Sequence, residues 1–133
     1  MDDCSDYGDQ GIVAGVLREL RLSTDRALQA GLSREQLIWD PGLGFAKTTD
    51  QSLELLRQLE DLQQDGIPLL LGPSRKRFIG AVLDQPRSKA RVWGTAAVCA
   101  RAVEAGVHVL RVHDVGPMSQ VVTMAAAVAR QRS

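Results

Sequence analysis

The sequence predicts an α/β fold in which short parallel strands alternate with amphipathic helices. Three observations carry this. Short apolar segments begin near residues 37, 69 and 107, about one strand-plus-helix unit apart. The stretches between them space apolar residues three and four apart, the period of a helix with one buried stripe. Each apolar segment then opens into a loop in which glycine and proline accompany a charged side chain: DPGLGF, GPSRKR and RVHDVG.

In chain order, Ile12, Val13, Val16, Leu17 and Leu20 mark a first helix from Gly11 to about Leu22, continuing with an interruption to Ala30 and closed by Gly31. LIWD at 37–40 is a first strand, bounded by PGLG, which can continue neither helix nor central strand. Thr48, Thr49 and Asp50 are N-cap candidates for a second helix carrying Leu55, Leu56, Leu59 and Leu62 and ending at Gly66. After Pro68, LLLG at 69–72 is wholly apolar, as a strand covered on both faces should be. A helix from Trp93 to Ala105 closes on Gly106, VHVLRV at 107–112 is the third strand, and residues 118–131 form the last helix.

At 133 residues the chain fits one core rather than two. Apolar residues make up 44% and charged residues 24%, a globular composition, and sixteen cationic side chains balance sixteen anionic ones. That balance argues against bulk nucleic-acid binding, although a local cluster can still hold an anion. Cys4 and Cys99 lie far apart and in no CxxC or Cys/His cluster, which points to reduced thiols rather than a zinc site or disulfide framework. The acidic N-terminus is no signal peptide, and no apolar run reaches the length of a membrane span, so a cytoplasmic location is expected.

Parallel strands point the same way, so the three loops emerge on one rim, where their side chains can converge. Asp40 is an acceptor for two parallel hydrogen bonds from a ring that offers an amino group beside a ring N–H. Lys76 is a compact donor for a carbonyl oxygen or ring nitrogen. Arg111 can hold an anion or stack on an aromatic ring, and His113 adds a donor that charges near neutral pH. Phe45 supplies an aromatic wall, Gly42 and Gly44 allow close backbone approach, and Ser74 at the start of a short helix suits a carboxylate or phosphate. Together these describe a site for a polar heterocycle carrying a phosphate. Blander readings stand beside it: Asp40 as a turn-former before Pro-Gly, SRK as a solvated basic loop, His113 and His108 as structural histidines, Asp114 as the cap of the last helix. Coincidence of charged groups at three consecutive strand ends favours the site.

The longer segments DPGLGFAK (40–47), GPSRKRFIG (72–80) and GTAAVCARAVEAGVHVLRVHDV (94–115), in this order and spacing, resemble the C-terminal signatures of the dihydropteroate synthase family. The helix before residue 31 also resembles the one preceding the family's DPG strand, so the similarity covers almost the whole chain. Pro73 stands where threonine is frequent and Ala46 where glycine is frequent; neither change touches a charged position.

The resemblance implies the C-terminal portion of a TIM (β/α)8 barrel. Residues 1–133 would then be a single partial pterin-binding domain with three parallel strands and the N-terminal barrel strands missing. It implies a folate-pathway transferase, a sulfonamide target, that joins a pterin diphosphate to p-aminobenzoate and releases diphosphate. Carried over residue by residue, Asp40, Lys76 and Arg111 contact the pterin, Arg111 and His113 the diphosphate, and Phe45 and Ser74 the p-aminobenzoate. Lys76, Arg111 and His113 are the catalytic set. Magnesium is implied as cofactor, with its protein ligand outside this chain. A homodimer, or a complementary N-terminal half-barrel, is the implied protein partner. Because a sheet cut from a barrel leaves open edges and an uncovered inner face, the isolated chain is expected to lack turnover. Two other readings compete. One is a non-catalytic pterin-binding half-barrel. The other is a pterin-dependent methyltransferase, which would not explain the clustered cations.

Overall fold

The computed structural model describes residues 11–129. Among the described residues, five α-helices accompany a short parallel sheet: α1 (Gly11–Gln29), α2 (Thr49–Arg57), α3 (Arg77–Leu83), α4 (Val92–Glu104) and α5 (Val115–Ala129), with strands β1 (Leu70–Leu71) and β2 (Val109–Leu110). The α/β class and the parallel pairing agree with the sequence. None of the described helices is long and apolar enough to cross a membrane.

The strands are shorter than expected. β1 and β2 pair Leu70 with Val109 and Leu71 with Leu110, while the LIWD segment contributes a single parallel bridge, Trp39 to Leu69. Two prolines explain the curtailment. Trp39 N–H donates to the Pro68 carbonyl at 2.8 Å and Leu70 N–H to the Trp39 carbonyl at 2.8 Å. Pro41 and Pro68, lacking N–H groups, can donate to no further rungs.

Trp39, Leu69 and Leu71 alternate to the side packed by helices, where they join Leu55, Leu59, Leu62, Phe78 and Ile79 in the buried core. Ile38, Leu70 and Val109 alternate to the opposite side. Ile38 is 56% exposed and Val109 38% exposed, so β1 is not covered on both faces as its composition suggested. Leu70 is only half-buried.

α1 runs without the expected interruption through Ser23, Thr24 and Asp25. Thr24 is buried because its hydroxyl donates to the Leu20 carbonyl at 2.8 Å and accepts the Trp39 indole N–H at 2.8 Å, so a polar group on the packed face is fully used. Of the three cap candidates Thr48 is the N-cap of α2. Its hydroxyl accepts the Gln51 N–H at 3.1 Å while its own N–H donates to Gln51 Oε1 at 2.9 Å. This helix stops at Arg57, earlier than Leu59 and Leu62 implied, and a 3-10 turn (Asp61–Gln63) follows. Arg101 of α4 takes the Leu56 and Arg57 carbonyls at 2.9 Å each, so the shorter helix leaves them satisfied. α5 starts at Val115 rather than 118, with Pro117 tolerated in the first turn, where its missing N–H has no partner to lose.

Cys99 is buried, and that burial pushes its thiol up to about 11, which leaves it protonated and unreactive at neutral pH. Cys4 lies outside the described residues.

Candidate active site

The side-chain alternation that buries Trp39, Leu69 and Leu71 sends Asp40, Ser74, Arg111 and His113 to the other side, at the ends of the segments that carry them. There Asp40, Phe45, Ser74, Lys76, Arg111 and His113 line one cavity of about 190 Å³, completed by Leu43, Leu70, Gly72 and Val112. All six residues named from the sequence thus face a shared space.

Asp40 shapes its own loop: Oδ1 accepts the Gly42 N–H at 2.9 Å, an Asx turn. The turn reading of this residue is therefore right, and its second carboxylate oxygen has no protein hydrogen bond among the described residues. Lys47, which sequence reasoning passed over, braces the same loop by donating to the Gly42 and Phe45 carbonyls at 2.9 and 3.0 Å. Burial lowers its pKa, opposed by Glu19 and Asp40. Gly44 has φ +83°, a left-handed conformation that glycine takes without strain, and a Cβ there would lie at contact distance, 3.4 Å, from the Lys76 stem. Ala46, by contrast, takes φ +50° with a side chain. The left-handed region costs a residue with Cβ roughly 1 to 2 kcal/mol, which is why glycine suits this position. Ala46→Gly should raise stability by about 1 kcal/mol in a urea titration, after the loss from greater unfolded-state freedom.

Lys76 Nζ sits 4.3 Å from the centroid of the Phe45 ring, a cation–π contact that leaves Phe45 67% exposed at the cavity mouth. Ser74 is not at a helix start, since α3 begins at Arg77 with Lys76 as N-cap. Its hydroxyl instead accepts the His113 main-chain N–H at 3.0 Å and lies 2.8 Å from His113 Nδ1. It can give its proton to a ligand carboxylate only when the imidazole carries its own hydrogen on Nδ1. His108 is structural, as read, accepting the Leu69 N–H on Nδ1 at 3.2 Å. Asp114 does not cap α5 with its side chain; its carboxylate pairs with Arg75 at 2.9 and 3.3 Å.

That hydrogen bond to Arg75 holds the Asp114 carboxyl below the usual range, as Arg21 does for Asp65 and Arg101 for Glu60. A depressed folded pKa stabilises the fold above the ordinary carboxylate value of about 4 and loses that contribution as pH falls through the folded value. The three pairs are partly exposed to solvent, so the effect should be small. Thermal melts should fall between pH 5 and pH 3, and Asp114→Asn should flatten that fall.

The cavity does not fit magnesium. The ion requires an octahedron of oxygens, and here one carboxylate, half used by a backbone N–H, faces a lysine, an arginine and a histidine. Among the described residues no cluster of His, Cys, Asp and Glu could hold a metal.

The sequence pattern of the family described as "Pterin binding enzyme" matches residues 2–113. The chain belongs to that family. This pterin-binding family member is 50% identical over 131 residues to the dihydropteroate synthase of Synechocystis, an alignment covering 98% of the chain and 44% of the relative. It resembles the structure of the Xanthomonas albilineans dihydropteroate synthase in complex with 7,8-dihydropteroate, with a TM-score of 0.90, 37% identity, 98% of this chain covered and 48% of that one. It is also 36% identical to the "Inactive dihydropteroate synthase 2" of Mycobacterium leprae, over 90% of the chain and 40% of the relative. The chain thus spans about half the length of the relatives it matches.

Proposed function

We propose that this chain is the C-terminal portion of a dihydropteroate synthase barrel, residues 1–133 forming one partial domain. The observation that supports this best is the single cavity faced by Asp40, Lys76, Arg111 and His113. In this reading Asp40 accepts the pterin's amino and ring N–H groups, and Lys76 donates to the carbonyl side of the ring. Arg111 packs against the pterin and, with His113, binds the diphosphate. The methylene C–O bond breaks with its electron pair going to the diphosphate, and the amine nitrogen of p-aminobenzoate forms the new C–N bond and gives up a proton. Cations aimed at the departing oxygens stabilise charge as it develops, the largest contribution a protein can make to such a step. Phe45 lines the p-aminobenzoate side, and Ser74 contributes there through whatever hydrogen-bonding capacity His113 leaves it. Magnesium belongs to this reading only as a companion of the diphosphate, its protein ligand lying outside this chain. A cytoplasmic location goes with the substrates.

For partners, the reading carries a complementary N-terminal half-barrel and a homodimer. The first would cover Ile38 and Val109. The second would use the apolar groove between α4 and α5, where Met124 and Val128 are 68% and 67% exposed. Purified alone, the chain should release no diphosphate that depends on both substrates, because half the barrel wall is not supplied. Such release, measured by a coupled diphosphate assay, would overturn the partial-domain reading. The inactive relative from Mycobacterium leprae favours keeping a second reading, a half-barrel that binds pterin without chemistry. Pterin binding with no turnover after the N-terminal half is added in trans would select it.

A further inference from the structure

We propose that Arg75 is a positioning residue for the site. Paired with Asp114, it locks the loop after β1 to the loop after β2 and so fixes where Lys76 and His113 stand in the cavity. The proposal rests on the functional reading above, and it concerns two residues that do not line the cavity themselves.

Arg75 is one of three non-glycine residues with positive φ among those described, at +59°. Such a conformation persists only where the surroundings hold it. Here they do, from both sides of the residue. Its N–H donates to Thr95 Oγ1 at 3.1 Å, and Thr95 is fully buried. Its carbonyl accepts the Arg91 Nη1–H at 2.9 Å, and Arg91 is anchored in turn on the Gln85 and Pro86 carbonyls at 3.0 and 2.9 Å.

The left-handed turn makes the loop's side chains diverge. Ser74 and Lys76 face the cavity, while Arg75 reaches to Asp114 through a two-point guanidinium–carboxylate contact, Nη2 to Oδ1 at 2.9 Å and Nε to Oδ2 at 3.3 Å. The neighbouring residues repeat the link in the other direction, as Ser74 Oγ accepts the His113 N–H at 3.0 Å. Two cross-links on consecutive residues, 74 with 113 and 75 with 114, leave the two loops no independent sliding motion. Lys76 and His113, on either side of these links, inherit that fixed separation, and a doubly charged ligand held by both needs it.

The test is a double-mutant cycle on the 133-residue chain, with inorganic diphosphate and 6-hydroxymethylpterin as probes in isothermal titration. Arg75→Ala and Asp114→Asn should each weaken diphosphate binding about tenfold. The double variant should be no weaker than either, because both changes remove one contact. Affinity within twofold of wild type for both single variants, or losses that multiply to about a hundredfold, would overturn the proposal. Asp114→Asn preserves shape and keeps the test open should Arg75→Ala fold poorly. Wild-type chain binding neither probe, alone or with the N-terminal half-barrel supplied, would sink the parent reading. The clamp is then decided by the His113 ring in long-range proton–nitrogen spectra: loss of the Ser74 contact in the variants supports it, and unchanged ring signals refute it.

Discussion

Asp40→Asn in a barrel completed by its N-terminal half should weaken 6-hydroxymethylpterin binding about a hundredfold, or roughly 3 kcal/mol at 1.4 kcal/mol per tenfold. The substitution is nearly isosteric, and the side-chain oxygen can still accept the Gly42 N–H that Oδ1 now takes at 2.9 Å. The loop should therefore keep its turn, and the loss should fall on the ligand. What changes is the outward-facing atom, from an acceptor carrying negative charge to an amide N–H₂. It would meet the donor edge of the ring donor to donor, so one hydrogen bond is replaced by repulsion and the charge assistance of the other is gone. Titration calorimetry would read the affinity, and a melt would confirm that folding is intact. Undiminished pterin affinity would remove Asp40 from the site and with it the main support for the function proposed.

The second large effect concerns Gly80, which is not among the residues lining the cavity. A Cβ at this position would lie 2.5 Å from Arg91 Nε, 2.6 Å from the Gln85 carbonyl oxygen and 2.8 Å from Arg91 Cζ. The Gln85 oxygen belongs to the backbone of a turn that folds back over α3, its N–H donating to the Gly80 carbonyl at 2.9 Å, so it cannot step aside cheaply. Gly80→Ala gains about 1 kcal/mol of helix propensity and loses more through the clash, and the net destabilisation should be about 2 kcal/mol. In a chain of this size that lowers the melting temperature by roughly 5 to 10 °C. Arg91 would be forced from three carbonyls at once, among them that of Arg75. Diphosphate affinity should therefore fall together with stability, although residue 80 does not line the cavity. A stable variant with unaltered affinity would show that Arg91 is not needed to hold the loop.

The α/β class, the rough positions of α1, α2, α4 and α5, and the rim residues that line the cavity could be read from the chain alone, because each depends on local chemistry. The three-and-four spacing around Val16 and Leu17 requires one buried stripe. Thr48 with Gln51 three residues on can close a capping box without help from elsewhere. The charged residues at strand ends stood out because apolar segments have no other reason to finish on Asp40 or Arg111. What the spacing could not give was anything set by residues far apart in the chain. The LIWD strand shrank to one bridge because Pro41 and Pro68, on the two paired segments, have no N–H to donate to the rungs on either side of Trp39. α1 continued through Thr24 because Trp39 reached back to bond it. Asp114, read as a helix cap, turned to Arg75, and Ser74, read as a ligand group, turned to His113. Local propensity decides which conformations a segment can adopt at low cost. A carboxylate or hydroxyl with several partners within reach is committed only when the fold brings one of them to hydrogen-bonding distance, and that choice exists nowhere but in the assembled structure.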